Sequence, residues 1–246
     1  IYQNMLIGFN VVHAAYTYKV KKLLNLGSSC IYPKIAPQPL KEEYLLTGAL
    51  EPTNDAYAIA KIAVIKLCNV YNKQYGTNYI SVMPANLYGP GDTYDLENGH
   101  VLPSLIRKFH EAKTSGRDEV VLWGDGTPFR EFLYSEDLAD AVLFLMEYKN
   151  AADIGEFVNI GTGQDLTIRE LAEIIRRVVY ADVSGRNCNI KWDTSKPNGT
   201  LRKLLDVSRL RAMGWQAKTS LEGGIIQAYT EFCKTTYGQE GSVECY

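Results

Sequence analysis

Residues 54–84 read NDAYAIAKIAVIKLCNVYNKQYGTNYISVMP, and this stretch decides the fold class. Asn54 or Asp55 is suited to cap a helix running from Ala56 to Tyr75, and Gly76 is suited to close it in a left-handed turn. Tyr79 to Pro84 then reads as a strand. Upstream, Met5, Leu6, Phe9, Val12 and Ala15 recur at helical spacing within residues 4–18, and Lys21 to Gly27 reads as a short buried strand that ends in Gly27-Ser28-Ser29-Cys30. Between them, the segment from Pro33 to Pro52 is loop, because its prolines lack the N–H that helices and ladders need.

The same alternation continues downstream. The loop Asn86 to Gly91 leads to a helix over 102–113 and a strand over 119–123, which runs into Gly124-Asp125-Gly126. Arg130 to Leu133 is extended, and Ser135 caps a helix whose apolar stripe reaches Leu145. A strand over 157–160 precedes the turn Gly161-Thr162-Gly163, which lacks the third glycine of a pyrophosphate-binding turn. Thr167 and Glu170 form a capping box on a helix to Tyr180. A strand over 189–192 and a polar loop over 194–200 follow, then a short helix capped by Asp206 and a long one over 221–235. Strand and helix in this alternation mean a parallel α/β sheet, with no internal repeat to compete. The pattern becomes more mixed near residue 155. The expectation is therefore a first domain over 1–155, interleaved with substrate-lobe segments near 88–125, and a smaller α/β lobe over 156–246.

Composition narrows the partners. The 246 residues are 46% hydrophobic and 22% charged with a formal net charge of -2, which lacks the basic excess of a nucleic-acid or acidic-membrane binder. No apolar run approaches the roughly 18 residues of a membrane span. The five cysteines (Cys30, Cys68, Cys188, Cys233, Cys245) show no CxxC spacing, so neither a disulfide framework nor a metal site is expected and the setting is cytoplasmic. The chain begins at Ile1 rather than Met, and further sequence upstream is expected.

Chemistry concentrates at a few positions. Tyr57 and Lys61 lie one turn apart on a helix face, where a lysine cation favours tyrosinate and moves the phenol from its ordinary value of about 10 toward neutrality. Tyr18 and Lys22 share the spacing but straddle a helix-to-strand boundary, and a plain surface pair is the alternative for Tyr57 and Lys61. Ser28 leaves the C-terminal end of a parallel strand, where open α/β sheets place their ligands, and its hydroxyl can hold a carbonyl. Cys30 is either a reactive thiol or a small buried residue. His100 is either an acid/base group or a cap for the next helix, while His13 and His110 read as structural. Lys108 and Arg130 can pair with a diphosphate and Trp123 can stack on an apolar face, or the two cations are merely solvated.

Five segments in order, GSSCIYP (27–33), EPTNDAYAIAK (51–61), PANLYGP (84–90), WGDGTPFREF (123–132) and KPNGTLRKLLD (196–206), make the chain resemble the extended short-chain dehydrogenase/reductase family. Cysteine after two serines points to its branch of GDP-4-keto-6-deoxy-D-mannose 3,5-epimerase/4-reductases. The resemblance runs to about residue 235 and leaves the last ten residues as a private tail. It implies a Rossmann-like doubly wound parallel sheet with a smaller C-terminal α/β substrate lobe. The first strands, roughly 80 residues in the family layout, would lie upstream of Ile1. It also implies NADP(H) as cofactor and a homodimer formed through helices 4–18 and 56–75.

By the same resemblance Tyr57 protonates the C4 oxygen, Ser28 bonds that oxygen, and Lys61 tunes Tyr57 and holds the nicotinamide ribose, while Cys30 and His100 serve C3 and C5. Leu26, Gly27, Ser28, Ser29, Tyr57, Lys61, Pro84, Ala85, Asn86, Leu87 and His100 would line the cofactor. Lys108, Trp123, Arg130 and Asn198 would hold the GDP-sugar, Asn198 standing where the family has aspartate. Another NAD(P)-dependent sugar-nucleotide epimerase/reductase, or a truncated relative that binds without catalysis, is the alternative.

Overall fold

The computed structural model describes residues 1–96, 99–183, 188–196 and 198–237. In chain order its elements are α1 (Tyr2–Thr17), β1 (Leu23–Leu26), α2 (Asp55–Tyr75), β2 (Tyr79–Pro84), β3 (Asn86–Tyr88), α3 (Val101–Ser115), β4 (Glu119–Trp123), β5 (Phe129–Arg130) and β6 (Phe132–Tyr134). They continue with α4 (Ser135–Tyr148), α5 (Ala151–Ile154), β7 (Val158–Ile160), β8 (Leu166–Thr167), α6 (Ile168–Val179), β9 (Asn189–Asp193), β10 (Arg202–Lys203), α7 (Ser208–Ala212) and α8 (Leu221–Tyr237). The chain divides into two compact units: Ile1–Asn86, Asp137–Gln164 and Lys203–Ala217 make the first, and Leu87–Glu136, Asp165–Arg202 and the chain from Lys218 on make the second. Asn98, Pro197 and the tail from Gly238, Cys245 included, lie outside the described residues.

The first unit is built on a parallel sheet of order β1-β2-β7 in which Leu23 pairs with Tyr79 and Val82 with Val158. All six residues of β2 are buried, as an interior parallel strand requires. Ile80 is fully enclosed, and truncating such a side chain to alanine costs roughly 2–5 kcal/mol. α2 is the crossover from β1 to β2, and Gly76 ends it at φ 65 with its N–H bonded to Asn72 O. α1 packs on α2, closely enough that a Cβ at Gly8 would lie 2.3 Å from a Val64 methyl. Lys22 donates to Leu145 O, Met146 O and Lys149 O, so an ammonium sits where the C-terminal carbonyls of α4 concentrate negative charge.

The second unit holds the parallel pair β4–β9, in register from Glu119 with Asn189 to Trp123 with Asp193, and the antiparallel pair β5–β8. Its core joins α3 (Leu105, Ile106, Phe109), α6 (Leu171, Ile175) and α8 (Ile225, Phe232). Thr167 accepts from Glu170 N at 3.1 Å and the Glu170 carboxylate accepts from Thr167 N at 2.8 Å, which is the expected capping box.

Several local expectations change. Asn86–Tyr88 is a strand, paired with β6, rather than loop. The extended stretch at 130–133 divides into β5 and β6 around Glu131, which is fully buried. Asn54 occupies the cap position of α2 without a side-chain cap bond. α7 starts at Ser208, two residues past Asp206, whose carboxylate still accepts from Ser208 N at 2.9 Å. α5 and β8 had no periodicity to reveal them. Among the described residues no helix is long and apolar enough to cross a membrane.

Candidate active site

The Gly-Ser-Ser-Cys segment leaves the C-terminal end of β1 in the first unit. Gly27 donates to Val82 O at 2.8 Å, and a Cβ there would lie 2.0 Å from Met83 Cε, so a side chain at this position would have to displace the end of Met83. Ser28 is extended and caps a single 3-10 turn, Ser29–Ile31, by accepting from Cys30 N at 3.3 Å. Just beyond, the buried Tyr32 hydroxyl donates to Asn159 Oδ1 at 2.6 Å, and Asn159 Nδ2 donates to Leu40 O and Asp206 O. Burial pushes Tyr32 far above the ordinary phenol range, so it stays a neutral donor and anchors the turn that carries Cys30.

Tyr57 and Lys61, from the first two turns of α2, face this segment. The Ser28 hydroxyl lies close enough to the Tyr57 oxygen to lower its value, and Cys30 lies close enough to act on it electrostatically. Lys61 Nζ sits 5.6 Å from the Tyr57 ring centroid and donates to Leu26 O at 3.0 Å. Ser28, Cys30, Tyr57 and Lys61 are thus brought together, whereas Tyr18 is exposed and Lys22 is turned to α4.

One electrostatic expectation is reversed. Tyr57 lies above the ordinary phenol value, not below it: burial raises it, the nearby Ser28 hydroxyl lowers it by less, and Cys30 raises it further. The reason is that Lys61 does not ion-pair with the hydroxyl. Its ammonium lies over the ring and on a carbonyl, and its own value is lowered by burial.

The second unit carries the remaining residues. His100 is at the cap position of α3 but makes no side-chain cap bond, and it is exposed, so capping does not account for its imidazole. Lys108 donates to Val121 O at 3.2 Å and lies 5.5 Å over the Trp123 ring, with Lys196 at the same distance over that ring. Burial lowers both Lys108 and Arg130, and Arg130 Nη1 donates to Phe129 O at 2.7 Å. Lys108 and Trp123 line a cavity of about 200 Å³ together with Trp192, which sequence reasoning did not single out. The Arg169 guanidinium stacks 5.0 Å over Trp192. A larger cavity of about 550 Å³ is lined by Asp92, Asp95, Glu231 and Arg107, an acidic excess of the wrong sign for a diphosphate.

Asn198 is engaged locally. Its Oδ1 accepts from Asp125 N at 2.9 Å and its amide, after the Thr127 hydrogen bonds, helps hold the Asp125 carboxylate below its ordinary value, while a Cβ at Gly124 (φ 79) would lie 2.3 Å from Oδ1. The side chain therefore pins the Gly124–Gly126 turn. Asparagine suits the place because an aspartate would face the Asp125 carboxylate with like charge.

A profile of the NAD dependent epimerase/dehydratase family matches residues 1–161. The chain is 55% identical over 231 residues to GDP-L-fucose synthase 1 of Arabidopsis thaliana, covering 94% of this chain and 69% of that protein. It is 53% identical over 238 residues to GDP-L-fucose synthase of Escherichia coli K12, with 94% and 73% covered. Among solved structures, a GDP-L-fucose synthetase from Naegleria fowleri bound to NADP matches with a TM-score of 0.84 at 28% identity, over 95% of this chain and 72% of that one.

Proposed function

Because the chain belongs to the NAD dependent epimerase/dehydratase family, we propose that it converts GDP-4-keto-6-deoxy-D-mannose to GDP-L-fucose by 3,5-epimerisation and NADPH-dependent 4-reduction. The observation that carries the reading is the meeting of Ser28, Cys30 and Tyr57 at the end of β1, in a chain more than half identical to two GDP-L-fucose synthases.

The residues fit a dinucleotide cofactor. Among the described residues Lys61 Nζ donates to Leu26 O, and an ammonium carries three donors, which leaves two for ribose hydroxyls. Leu26 is 44% exposed at the end of β1, beside Gly27, Ser28 and Ser29, while Pro84 ends the neighbouring strand β2 and Ala85 to Leu87 follow it. NADPH, when bound, supplies the hydride for C4. Tyr57 gives a proton to the C4 oxygen, and its raised value suits that task because the phenol is fully loaded at neutral pH. Ser28 hydrogen-bonds the same oxygen.

Epimerisation needs a base and an acid beside a ketone that acidifies C3 and C5. Cys30 from the first unit and His100 from the second are assigned these roles, thiol and imidazole both exchanging protons near neutral pH. Lys108 and Arg130 are assigned to the diphosphate, Trp123 to an apolar face of the ligand, and Asn198 to the turn between them in sequence. Cofactor binding is assigned to the first unit and the GDP-sugar to the second. The reading includes a cytoplasmic setting, in keeping with free thiols at Cys30, Cys68, Cys188 and Cys233, and a homodimer through α1 and α2.

Incubating the full-length protein with GDP-4-keto-6-deoxy-D-mannose and NADPH, then separating the nucleotide sugars, tests the function. GDP-L-fucose formed in step with NADPH oxidation is the expected result. A product that keeps the mannose configuration at C3 and C5 contradicts it.

A further inference from the structure

Cys30 does not stand alone in the first unit. Lys203, on β10, directs Nζ to within 4.0 Å of Cys30 Sγ in a part-buried setting, although the two residues are 173 positions apart in the chain. An ammonium has donors and no acceptor, so what it favours at a sulfur is the anion. Among the described residues no carboxylate ion pair competes for Lys203. The other groups facing the sulfur are the Tyr57 phenol and, one turn further along α2, Lys61, whose ammonium is turned to Leu26 O. On its own segment the neighbour is Ser28, whose Oγ is engaged by Cys30 N.

We infer that Lys203 is a positioning residue for the epimerase half-reaction, the cation that holds the negative charge on Cys30 Sγ when the thiol has given up its proton. The inference rests on the reading of Cys30 as the base at C3 and C5. In each epimerisation the thiolate takes the C–H proton, an S–H bond forms, and the electron pair left on carbon is delocalised onto the C4 oxygen. A proton delivered from the opposite face completes the inversion, and Cys30 returns its own proton to solvent. Lys203 acts at the start and end of this cycle, when the sulfur is charged. A lysine that served only as counter-charge to the diphosphate would act on substrate binding instead.

Two readouts on the full-length protein separate these roles. The first is alkylation of Cys30 by iodoacetamide at pH 7 without substrate, followed on the Cys30 peptide by mass spectrometry. Lys203→Met should slow it about ten-fold and Lys203→Arg should restore it to within about two-fold, since the ammonium 4.0 Å from Sγ is the group placed to stabilise the charge of an attacking thiolate. The second is solvent deuterium exchange into C3 and C5 of the keto sugar, where Lys203→Met should lower kcat by a similar factor and leave KM unchanged. Alkylation at the parent rate in Lys203→Met, or a rise in KM alone, overturns the inference. Slowed alkylation in a protein that shows no exchange with this sugar upholds the Lys203–Cys30 pairing and overturns the functional reading instead.

Discussion

At the scale of single residues, Tyr57 and Cys30 divide the chemistry between them. Tyr57→Phe removes the proton donor to the C4 oxygen and keeps the ring, so reduction should fall 10²- to 10⁴-fold while deuterium exchange at C3 and C5 partly persists. Cys30→Ser replaces an ionisable thiol by a hydroxyl, so exchange should fall about 100-fold or more while hydride transfer survives, giving a 6-deoxy-hexose of unaltered C3 and C5 configuration. Equal loss of both reactions in either variant contradicts the division. The raised value of Tyr57 adds a pH dependence: an acid raised by burial keeps its proton further into alkali. Reduction should hold level from neutrality to about pH 10, the ordinary phenol value, and decline only above it. A decline centred between pH 7 and 9 would show a depressed phenol, as the sequence spacing suggested. That suggestion failed because helix periodicity places Lys61 beside Tyr57 but cannot say that its ammonium turns to Leu26 O. Lys203 and Trp192 were not legible for a related reason. What makes Lys203 informative is a sulfur 173 positions away, and what makes Trp192 informative is the lining of a cavity.

At the scale of elements, what could be read in advance was what local chemistry settles. β2 and β4 have the bounds their apolar runs set, α2 ends at a left-handed glycine, and α6 begins at a reciprocal cap. β3, β8 and α5 were missed because two to four residues carry no period, and such strands exist only through a distant partner. The outer faces of α1 and α2 make an element-scale prediction. Tyr2 (73% exposed), Ile7 (64%) and Val11 (50%) on α1, with Ile59 and Val70 on α2, are large apolar side chains left open to solvent. A second copy of the chain is the proposed cover. Sedimentation velocity should find the parent protein dimeric and Ile7→Glu monomeric, with circular dichroism unchanged; a monomeric parent contradicts the proposal.

At the scale of the whole molecule, the two units contribute different kinds of group. The first supplies a phenol, a hydroxyl, a thiol and two ammonium groups around the end of β1, and the second supplies an exposed imidazole at the start of α3 and, lining a cavity of about 200 Å³, Lys108 with two tryptophans. Proton chemistry on a keto sugar and recognition of its nucleotide are the tasks these sets suit. The account's central claim is that one protein performs both inversion and reduction, drawing protons from solvent at C3 and C5 and hydride from NADPH at C4. The direct measurement is the proton spectrum of the nucleotide sugar formed in D₂O from unlabelled keto sugar and unlabelled NADPH. The prediction is GDP-L-fucose deuterated at C3 and C5 and protonated at C4. A product that retains its original hydrogens at C3 and C5, or carries deuterium at C4, would contradict it.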